Sequence, residues 1–510
     1  MSDALEARIA RLAAEVLGRG EVRPEDDFIA LGGDSIEAVR WLNRVTEETG
    51  TELPVGAVFE ARTPAALAEL VRRAVPALRD APEGADGEAP LSFAQRSMWA
   101  HEIFVRDTPI NNCLFGLRLE GALDTAILTR SLEEIVRRHE VLRTVFPYRP
   151  GGPVAAVRPP FSLDIPLAEI DDLEDAAREL AAGVFDLEEG PLHRYRLVRH
   201  GPEEHTLLLA MHHIVCDRWS LVVLLDELSA IYGAFREGRP SPLPDPELQF
   251  HQHARRERAR EGSPPIRRQI DRWREILAED VPPLEIPPDP DAGRLPEWMG
   301  DRHTVRVPGE TRDRLREFAR TGGATLYVAL TTAFAALLAK ETGRETVAIG
   351  GLCAGRNGRE TESAIGPFLN PVVLRLPLVG NPTWRELIVR VRDVVLTALA
   401  NQDVPWETLV RALRPKPVPG RNPWFRCVVQ MLDLPKPAEG PEGLRIRRIP
   451  LHGGIARFDL FPEIEEDDDG LLVHFEARRC RTTRARLEHL AEAWRSMLEE
   501  MLRAPDGPAG

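Results

Sequence analysis

Several absences narrow the possibilities before any motif is read. The five cysteines, at positions 113, 216, 353, 427 and 480, are scattered and form no Cys-x-x-Cys pair, so neither a disulfide framework nor a zinc site is expected, and a reducing cytoplasm fits best. There is no surplus of positive charge: a formal net charge of -15 argues against nucleic acid as a partner, since no domain-wide basic surface is available to meet phosphates. The chain also lacks a long uncharged apolar run. Its least charged long segment, 321–339, contains Gly322, Gly323 and four threonines, which suits a buried helix better than a membrane span. The opening Met-Ser-Asp-Ala-Leu-Glu has no basic start followed by an apolar core, so it begins an amphipathic helix rather than an export signal. No Walker lysine pattern and no dinucleotide fingerprint is present, and ATP and NAD are not expected.

What remains is ample core material. Of 510 residues, 43% are hydrophobic and 29% charged, a globular balance that the length divides into two to four domains or lobes. The most informative stretch runs from Thr206 to Ser220: an apolar run, Leu207 to Met211, ends abruptly in His212 and His213, followed by Asp217, Arg218 and Trp219. The run reads as a buried strand, and burial leaves two imidazoles in need of partners or a ligand. Neighbouring strand residues face opposite sides, so one histidine can face a cavity while the other is held in the scaffold. A metal site or two satisfied core histidines would explain the pair equally well from these residues alone.

The first 76 residues read as a small helical bundle. Leu5, Ile9, Leu12 and Val16 recur at helical spacing, Ile36, Val39, Leu42 and Val45 share one helical face, and Thr63-Pro64 starts a third helix through Leu67 and Leu70. Gly32 and Gly33 permit a tight turn that sets Ser35 at a helix start, where amide groups and the helix dipole favour a phosphate. Read without context, Asp34 or Ser35 would simply cap the helix. Residues 77–90 mix Pro, Gly, Ala and acids without periodicity, which is linker composition. A hinge between two later lobes is expected at 260–265, where Gly262, Pro264 and Pro265 cluster.

Two resemblances organise these observations. Leu-Gly-Gly-Asp-Ser-Ile at 31–36, preceded by Phe28, resembles a peptidyl carrier domain, which implies that Ser35 carries 4'-phosphopantetheine attached by a separate phosphopantetheinyl transferase. This unit has nine arginines, no lysine and fourteen acids, so recognition would rest on shape and on apolar residues such as Ile36 and Val39. From Leu91 onward the chain resembles condensation domains of nonribosomal peptide synthetases. His-His-x-x-x-Asp-x-Trp-Ser at 212–220 matches the active-site signature, and the stretches 91–99, 138–146, 349–356, 365–371 and 401–407 match further blocks in order and spacing.

The resemblance implies a small all-α carrier, an α/β condensation domain built as a V-shaped pseudo-dimer of two chloramphenicol-acetyltransferase-like lobes, and a tunnel with His213 near its middle. The expected boundaries are 1–76 for the carrier, 77–90 for the linker, 91–262 for the N-terminal lobe and 263–510 for the C-terminal lobe. It further implies amide formation between a donor thioester and the amine of an acceptor aminoacyl thioester, without a metal. His213 is then catalytic, as a base or an orienting group, and His212 structural. Asp217 is structural too, paired with Arg356 as first candidate or Arg143 as second. Partners would be an acceptor carrier of a downstream module and adenylation domains acting elsewhere in the assembly line. The order carrier then condensation favours a donor role for this carrier, and no room for an epimerase between them favours an L-configured or achiral donor.

Three positions depart from the family pattern: Arg218 where Gly is usual, Pro371 where Thr is common and Asn401 where His is common. They sustain an alternative, a non-catalytic docking or recruitment domain of the same fold. An epimerisation domain is disfavoured by Trp219 and the blocks at 138–146 and 401–407, and a cyclisation domain by the two histidines. Arg218 is expected either to pair with a nearby acid or to project into the tunnel and restrict acceptors to small ones such as glycine.

Overall fold

Helical periodicity near the N-terminus becomes a packed bundle. Helix Ser2–Val16 turns Ile9, Leu12 and Ala13 inward, helix Ser35–Thr49 contributes Ala38, Trp41, Leu42 and Val45, and helix Pro64–Arg73 adds Leu67, Ala68 and Val71. Trp41 is fully buried, and its indole N–H donates to the Ile9 carbonyl at 2.9 Å while Phe28 stacks on it at 4.6 Å between centroids. The computed structural model of the chain describes residues 2–73 apart from 32, 34, 50, 52, 54–56 and 58–60, and residues 88–509 apart from 106, 170–171, 279–282, 357, 417–421, 433–439 and 442. Residues 77–87 of the expected linker lie outside this set. The side chains of Ser35, Ile36 and Val39 do so as well.

The strands that follow are β1 (Glu88–Pro90), β2 (Asn112–Gly121), β3 (Thr144–Val145), β4 (Tyr148–Arg149), β5 (Gly152–Val157), β6 (Leu167–Glu169), β7 (His193–Gly201) and β8 (Glu204–His212). After them come β9 (Gly300–Pro308), β10 (Thr346–Cys353), β11 (Asn370–Pro377), β12 (Val428–Leu432), β13 (Leu444–Ile449), β14 (Leu460–Asp467) and β15 (Gly470–Arg478). They form a five-stranded sheet in the order β13-β2-β8-β7-β6, a six-stranded sheet in the order β11-β10-β12-β14-β15-β9, and a small sheet around β5. Each large sheet has its own hydrophobic core with helices packed against it, so the part from residue 88 onward is two α/β lobes. The expected hinge is where the chain changes core: Phe250 belongs to the first, whereas Ile266 and Trp273 belong to the second.

Two features correct the boundaries read from composition. Residues 88–90, assigned to the linker, form β1 and pair antiparallel with β5, because Ala89 buries its side chain while the backbone finds partners on a sheet edge. The division at residue 262 is also not clean. Strand β13, from the C-terminal half, pairs with β2 along its whole length and completes the N-terminal sheet. Its alternation explains this, since Leu444 and Ile446 are buried in the first core while Arg445 and Arg447 point outward.

The apolar segment expected to be a buried helix is one: helix Leu326–Thr342 lies in the second core with residues around its whole circumference buried. Among the described residues no single helix is long and apolar enough to cross a membrane.

Candidate active site

Strand β8 is buried along nearly its whole length, flanked by β2 and β7, and ends at His212, with His213 first in the turn that follows. His212 is 2% exposed and fully engaged. Its Nδ1 accepts the Ile214 amide at 3.1 Å, so the proton sits on Nε2, which donates to Glu102 at 3.2 Å. Burial alone would raise the Glu102 carboxyl, but hydrogen bonds from His212 and Asn111 hold it below its ordinary value. Both ring nitrogens of His212 are thus engaged within the protein.

His213 faces the other way and is half-buried. Its backbone amide donates to the Asn111 carbonyl at 2.8 Å, and its Nδ1 lies 2.6 Å from the Cys216 carbonyl oxygen. A carbonyl can only accept, so Nδ1 carries the proton and Nε2 keeps its lone pair. Burial, with Arg457 assisting against the opposing Cys113, pushes the imidazole below its ordinary pKa and keeps it neutral. The result is a fixed, unprotonated nitrogen.

Asp217 caps helix Arg218–Arg236. Its carboxylate accepts from the Ser220 amide at 2.8 Å, the Ser220 hydroxyl at 2.7 Å and the Phe368 amide at 3.2 Å. Of the two candidate partners, Arg356 is the one that meets it: Nη2 donates to both oxygens at 2.8 and 3.0 Å, and both side chains are almost fully buried. The other guanidinium nitrogen of Arg356 donates to the carbonyls of Thr361 and Ala364. Arg143 does not approach Asp217; it donates to the Arg158 carbonyl at 2.6 Å and to Glu140 at 3.2 Å. Gly355 makes the Arg356 turn feasible, with φ of +66 and a hypothetical Cβ 1.9 Å from the Phe368 carbonyl oxygen.

Arg218 projects across the space between the lobes to Glu463 of β14, with Glu465 3.9 Å away and the Phe115 ring 6.0 Å from its guanidinium carbon. Burial would lower its pKa, but Glu463 and Glu465 outweigh it and keep the group charged. A cavity of about 420 Å³ opens beside Ile29, Gly33 and Arg40 of the carrier and reaches Arg218 and Trp219. The carrier core also packs against Leu396 and Leu399 of helix Trp384–Ala400 in the C-terminal lobe. On the carrier side, Gly33 is tightly constrained, since a Cβ there would lie 2.2 Å from the Phe28 ring. The following helix starts at Ser35.

The remaining sequence blocks are parts of one support. Gln95 closes a capping box with Ser92 and donates to the Ile214 carbonyl at 3.2 Å, gripping the loop after the histidines. Arg138 makes two hydrogen bonds to Glu227 on the helix that Asp217 caps. Asn370 joins two blocks by donating to the Gln402 and Val404 carbonyls. Asn401 caps its own helix, and its carbonyl accepts the Trp273 indole N–H, so it faces scaffold. Pro371 lies within β11, opposite Leu352. Glu102 and Glu463, the partners of His212 and Arg218, are absent from the sequence reading; Glu102 lies seven residues after Gln95, two helical turns along the same face, whereas Glu463 carries no local signal.

The family model of the condensation domain matches residues 85–510, and that of the phosphopantetheine attachment site matches residues 7–71. A linear gramicidin synthase of Brevibacillus parabrevis is 34% identical over 98% of the chain, which spans 10% of that relative. Phosphinothricin tripeptide synthetase PhsB of Streptomyces viridochromogenes is 36% identical over 86% of the chain, which spans 39% of it. Among solved structures, the X-domain from teicoplanin biosynthesis has a TM-score of 0.76 at 27% identity, covering 85% of this chain and 99% of that one. The first condensation domain of the calcium-dependent antibiotic synthetase has a TM-score of 0.72 at 22% identity, covering 84% and 98%, a likeness of fold. The chain belongs to the condensation-domain family of nonribosomal peptide synthetases, preceded here by a carrier domain with a phosphopantetheine attachment site.

Proposed function

We propose that the chain joins a donor thioester to the amine of an acceptor aminoacyl thioester, with its own carrier as the donor. The observation that carries this reading is the fixed lone pair on His213 Nε2, on the loop that leads into Asp217, Arg218 and Trp219, which line a cavity that opens next to the carrier's glycine turn. Ser35 is the attachment point for phosphopantetheine, placed there by a phosphopantetheinyl transferase. The cavity between Gly33 and Trp219, where Thr325, Tyr327 and Gln402 stand among apolar residues, suits a flexible arm that carries amide groups. When bound, that group supplies the activated thioester carbonyl.

The chain's residues supply the rest. The two lobes hold both reactants in line, which accounts for much of the rate gain. His213 Nε2 accepts a hydrogen bond from the neutral acceptor amine and takes its proton as nitrogen attacks the carbonyl carbon. The carbon–sulfur bond then breaks, and the proton leaves with the thiol. Asp217, Arg356 and Ser220 hold the start of the helix behind the histidine loop without touching the reacting atoms. Arg218 acts as a gate, because it lines the cavity and its side chain spans the lobes to Glu463. The unit boundaries follow as 1–76, 77–90, 91–262 and 263–510, adjusted for β1 and β13. Adenylation domains and a downstream acceptor carrier complete the assembly line, and the donor residue is L-configured or achiral.

The test is single-turnover amide formation, with an aminoacyl group loaded on Ser35 and a glycyl group on a separate carrier. Wild type should form the amide and His213→Ala should not. If intact mass shows both carriers loaded and wild type forms no amide, the chain is instead a recruitment domain, a reading in keeping with its likeness to an X-domain solved in complex with OxyB.

A further inference from the structure

After β13 the chain leaves the N-terminal sheet and enters the C-terminal one as β14, and the crossover between them carries Arg457. This crossover is fastened to the second lobe. The Gly300 amide donates to the Gly454 carbonyl at 2.8 Å, the Ala456 amide donates to the Trp298 carbonyl at 2.9 Å, and Arg478 of β15 donates to the carbonyl of Arg457 itself at 2.7 Å. The Arg457 side chain reaches into the first lobe, to the start of β2. Its Nε donates to the Ile110 carbonyl at 2.9 Å and its Nη2 to Cys113 Sγ at 3.4 Å. Between these two contacts lie Asn111 and Asn112, and both meet the histidine pair. The Asn111 carbonyl accepts the His213 amide at 2.8 Å, and the Asn111 side chain donates at 2.6 Å to Glu102, the carboxylate that also accepts from His212. Asn112 stands opposite His212 in the register of β2 and β8. One guanidinium from the second lobe thus clamps the turn on which both histidines are set.

We propose that Arg457 is a positioning residue for condensation, which carries the relation between the lobes to the turn at 110–112 and so sets where His213 stands. The mechanical part rests on adjacency. The peptide whose carbonyl receives the His213 amide directly follows the peptide whose carbonyl Arg457 holds, so a shift of the second lobe moves the histidine. His213 is then tied through its backbone to Asn111 and through its ring to the Cys216 carbonyl, and both ties depend on the same turn and loop. The electrostatic part rests on charge. A guanidinium keeps its proton at any working pH, so it opposes protonation of an imidazole close to it. The charged and titratable groups around the turn are His101 and Glu102 of helix Phe93–Phe104, Cys113 of β2, Cys216 and Asp217 of the loop after β8, and Arg457. Glu102 is bonded by His212 and Asn111, and Asp217 by Arg356, so Arg457 is the cation of this set with no carboxylate between it and the turn. Burial is the largest influence on His213 and lowers it, Arg457 lowers it further, and Cys113 and Asp217 oppose them.

The effect on rate rests on the function proposed above, whereas the state of His213 can be read without it. The full chain would be prepared with isotopically labelled histidine, and the ring nitrogens of His213, identified by their loss in His213→Ala, followed by NMR from about pH 8 to about pH 5. Wild type should show the proton on Nδ1 near neutral pH and a titration midpoint below the ordinary value of about 6.5. Arg457→Met keeps the apolar length of the side chain but neither its donors nor its charge. In this variant the His213 midpoint should rise towards the ordinary value, because a cation has been withdrawn. Single-turnover amide formation between loaded carriers should fall about a hundredfold, the order that a displacement of about 1 Å costs, with the acceptor concentration for half-maximal rate unchanged. Arg457→Lys returns the charge but not the forked donors, so it should restore the midpoint and recover only part of the rate. Thermal melting identifies a variant that does not fold, and Arg457→Gln then replaces Arg457→Met. A His213 midpoint unchanged in the folded variant overturns the proposal even if the rate falls, since Arg457 would then be only a brace between the lobes. So does an unchanged rate. A wild type that forms no amide defeats the condensation reading instead, and the midpoint alone then decides whether Arg457 sets His213.

Discussion

The Nδ1 of His213 sits 2.6 Å from the carbonyl oxygen of Cys216, three residues further along the chain, and that contact settles which nitrogen of the ring can act. Held this way, the imidazole offers a lone pair from Nε2 and cannot turn over without breaking a short bond. An imidazole oriented by its own loop needs no carboxylate partner, and Asp217 is committed to the helix cap and Arg356 instead.

Replacing His213 by alanine should therefore remove chemistry and little else. The expected outcome is a fall in single-turnover rate of about a hundredfold or more, with a thermal midpoint within a few degrees of wild type, because the half-buried ring makes one side-chain hydrogen bond. The acid limb of the pH–rate profile should lie below the ordinary histidine value, since burial depresses this group. A profile unchanged in His213→Ala would remove the histidine from the reaction.

Arg356→Ala should act in the opposite way. It strands a carboxylate 3% exposed at Asp217, together with the carbonyls of Thr361 and Ala364, and breaking a buried pair of this kind costs about 3–5 kcal/mol. Arg143→Ala, which leaves Asp217 and all its partners in place, should cost about 1 kcal/mol. Urea unfolding of the two variants distinguishes them, and equal losses would mean that the buried pair has no special weight.

The reach of sequence reading can be judged from these same residues. The histidines and the helix start at Ser35 sit on local signals, a buried strand end and a glycine turn, whereas Asp217 enters only through the resemblance. Arg356 follows only from resemblance, with Arg143 left open, since 139 residues separate it from Asp217 and only the fold brings them together. Glu463 and Arg457 escape a sequence reading because a buried acid or an inter-lobe arginine has no periodicity of its own, whereas Glu102 could be found from its helical spacing to Gln95. Strand β13 falls in the wrong lobe for a related reason: alternation reveals a strand and its buried face, but not the sheet it joins.

Acid should unfold the protein through histidines remote from catalysis. Burial pushes His193 down to about 4 and His253 down to about 3, so in the folded state both stay neutral far below the ordinary value near 6.5. The unfolded chain then binds more protons between those values. Stability is intact above about pH 6.5 and is lost as pH falls towards the folded pKa values, by a total on the order of 3–5 kcal/mol per group. Thermal midpoints measured from pH 7 to pH 4 should fall steadily. His253→Leu, which packs between Phe250 and Phe368 without titrating, should flatten the curve, and an equally steep fall in that variant would assign the acid sensitivity elsewhere.

Gly33→Ala probes the carrier. A methyl group 2.2 Å from the Phe28 ring and 2.8 Å from its carbonyl oxygen must displace a side chain stacked on the fully buried Trp41. The expected loss is about 1–3 kcal/mol, the usual range for overpacking, with slower phosphopantetheine transfer to Ser35 followed by intact mass. Ser35→Ala should accept none. Normal transfer to Ser35→Ala would place the attachment site on another residue.

Arg218 and Glu463 make the sharpest case for selectivity. They come from different lobes, Glu463 is about nine-tenths buried, and Arg218 lines the cavity, so the bridge fixes the volume and charge that Arg218 presents there. Arg218→Gly removes both volume and charge, and it also leaves a buried carboxylate, which should take up a proton or water. The expected outcome is a wider range of acceptors: product from alanyl and leucyl carriers should rise relative to wild type, by about tenfold if the side chain excludes one or two methylene groups' worth of volume, while glycyl transfer stays nearly constant. Glu463→Gln tests the bridge separately. It keeps the long side chain but weakens its anchor, so it should relax selectivity less than Arg218→Gly does. Rates for glycyl, alanyl and leucyl acceptors on one carrier give all these ratios, and ratios identical in wild type and Arg218→Gly would leave Arg218 a brace between the lobes with no part in choosing the acceptor.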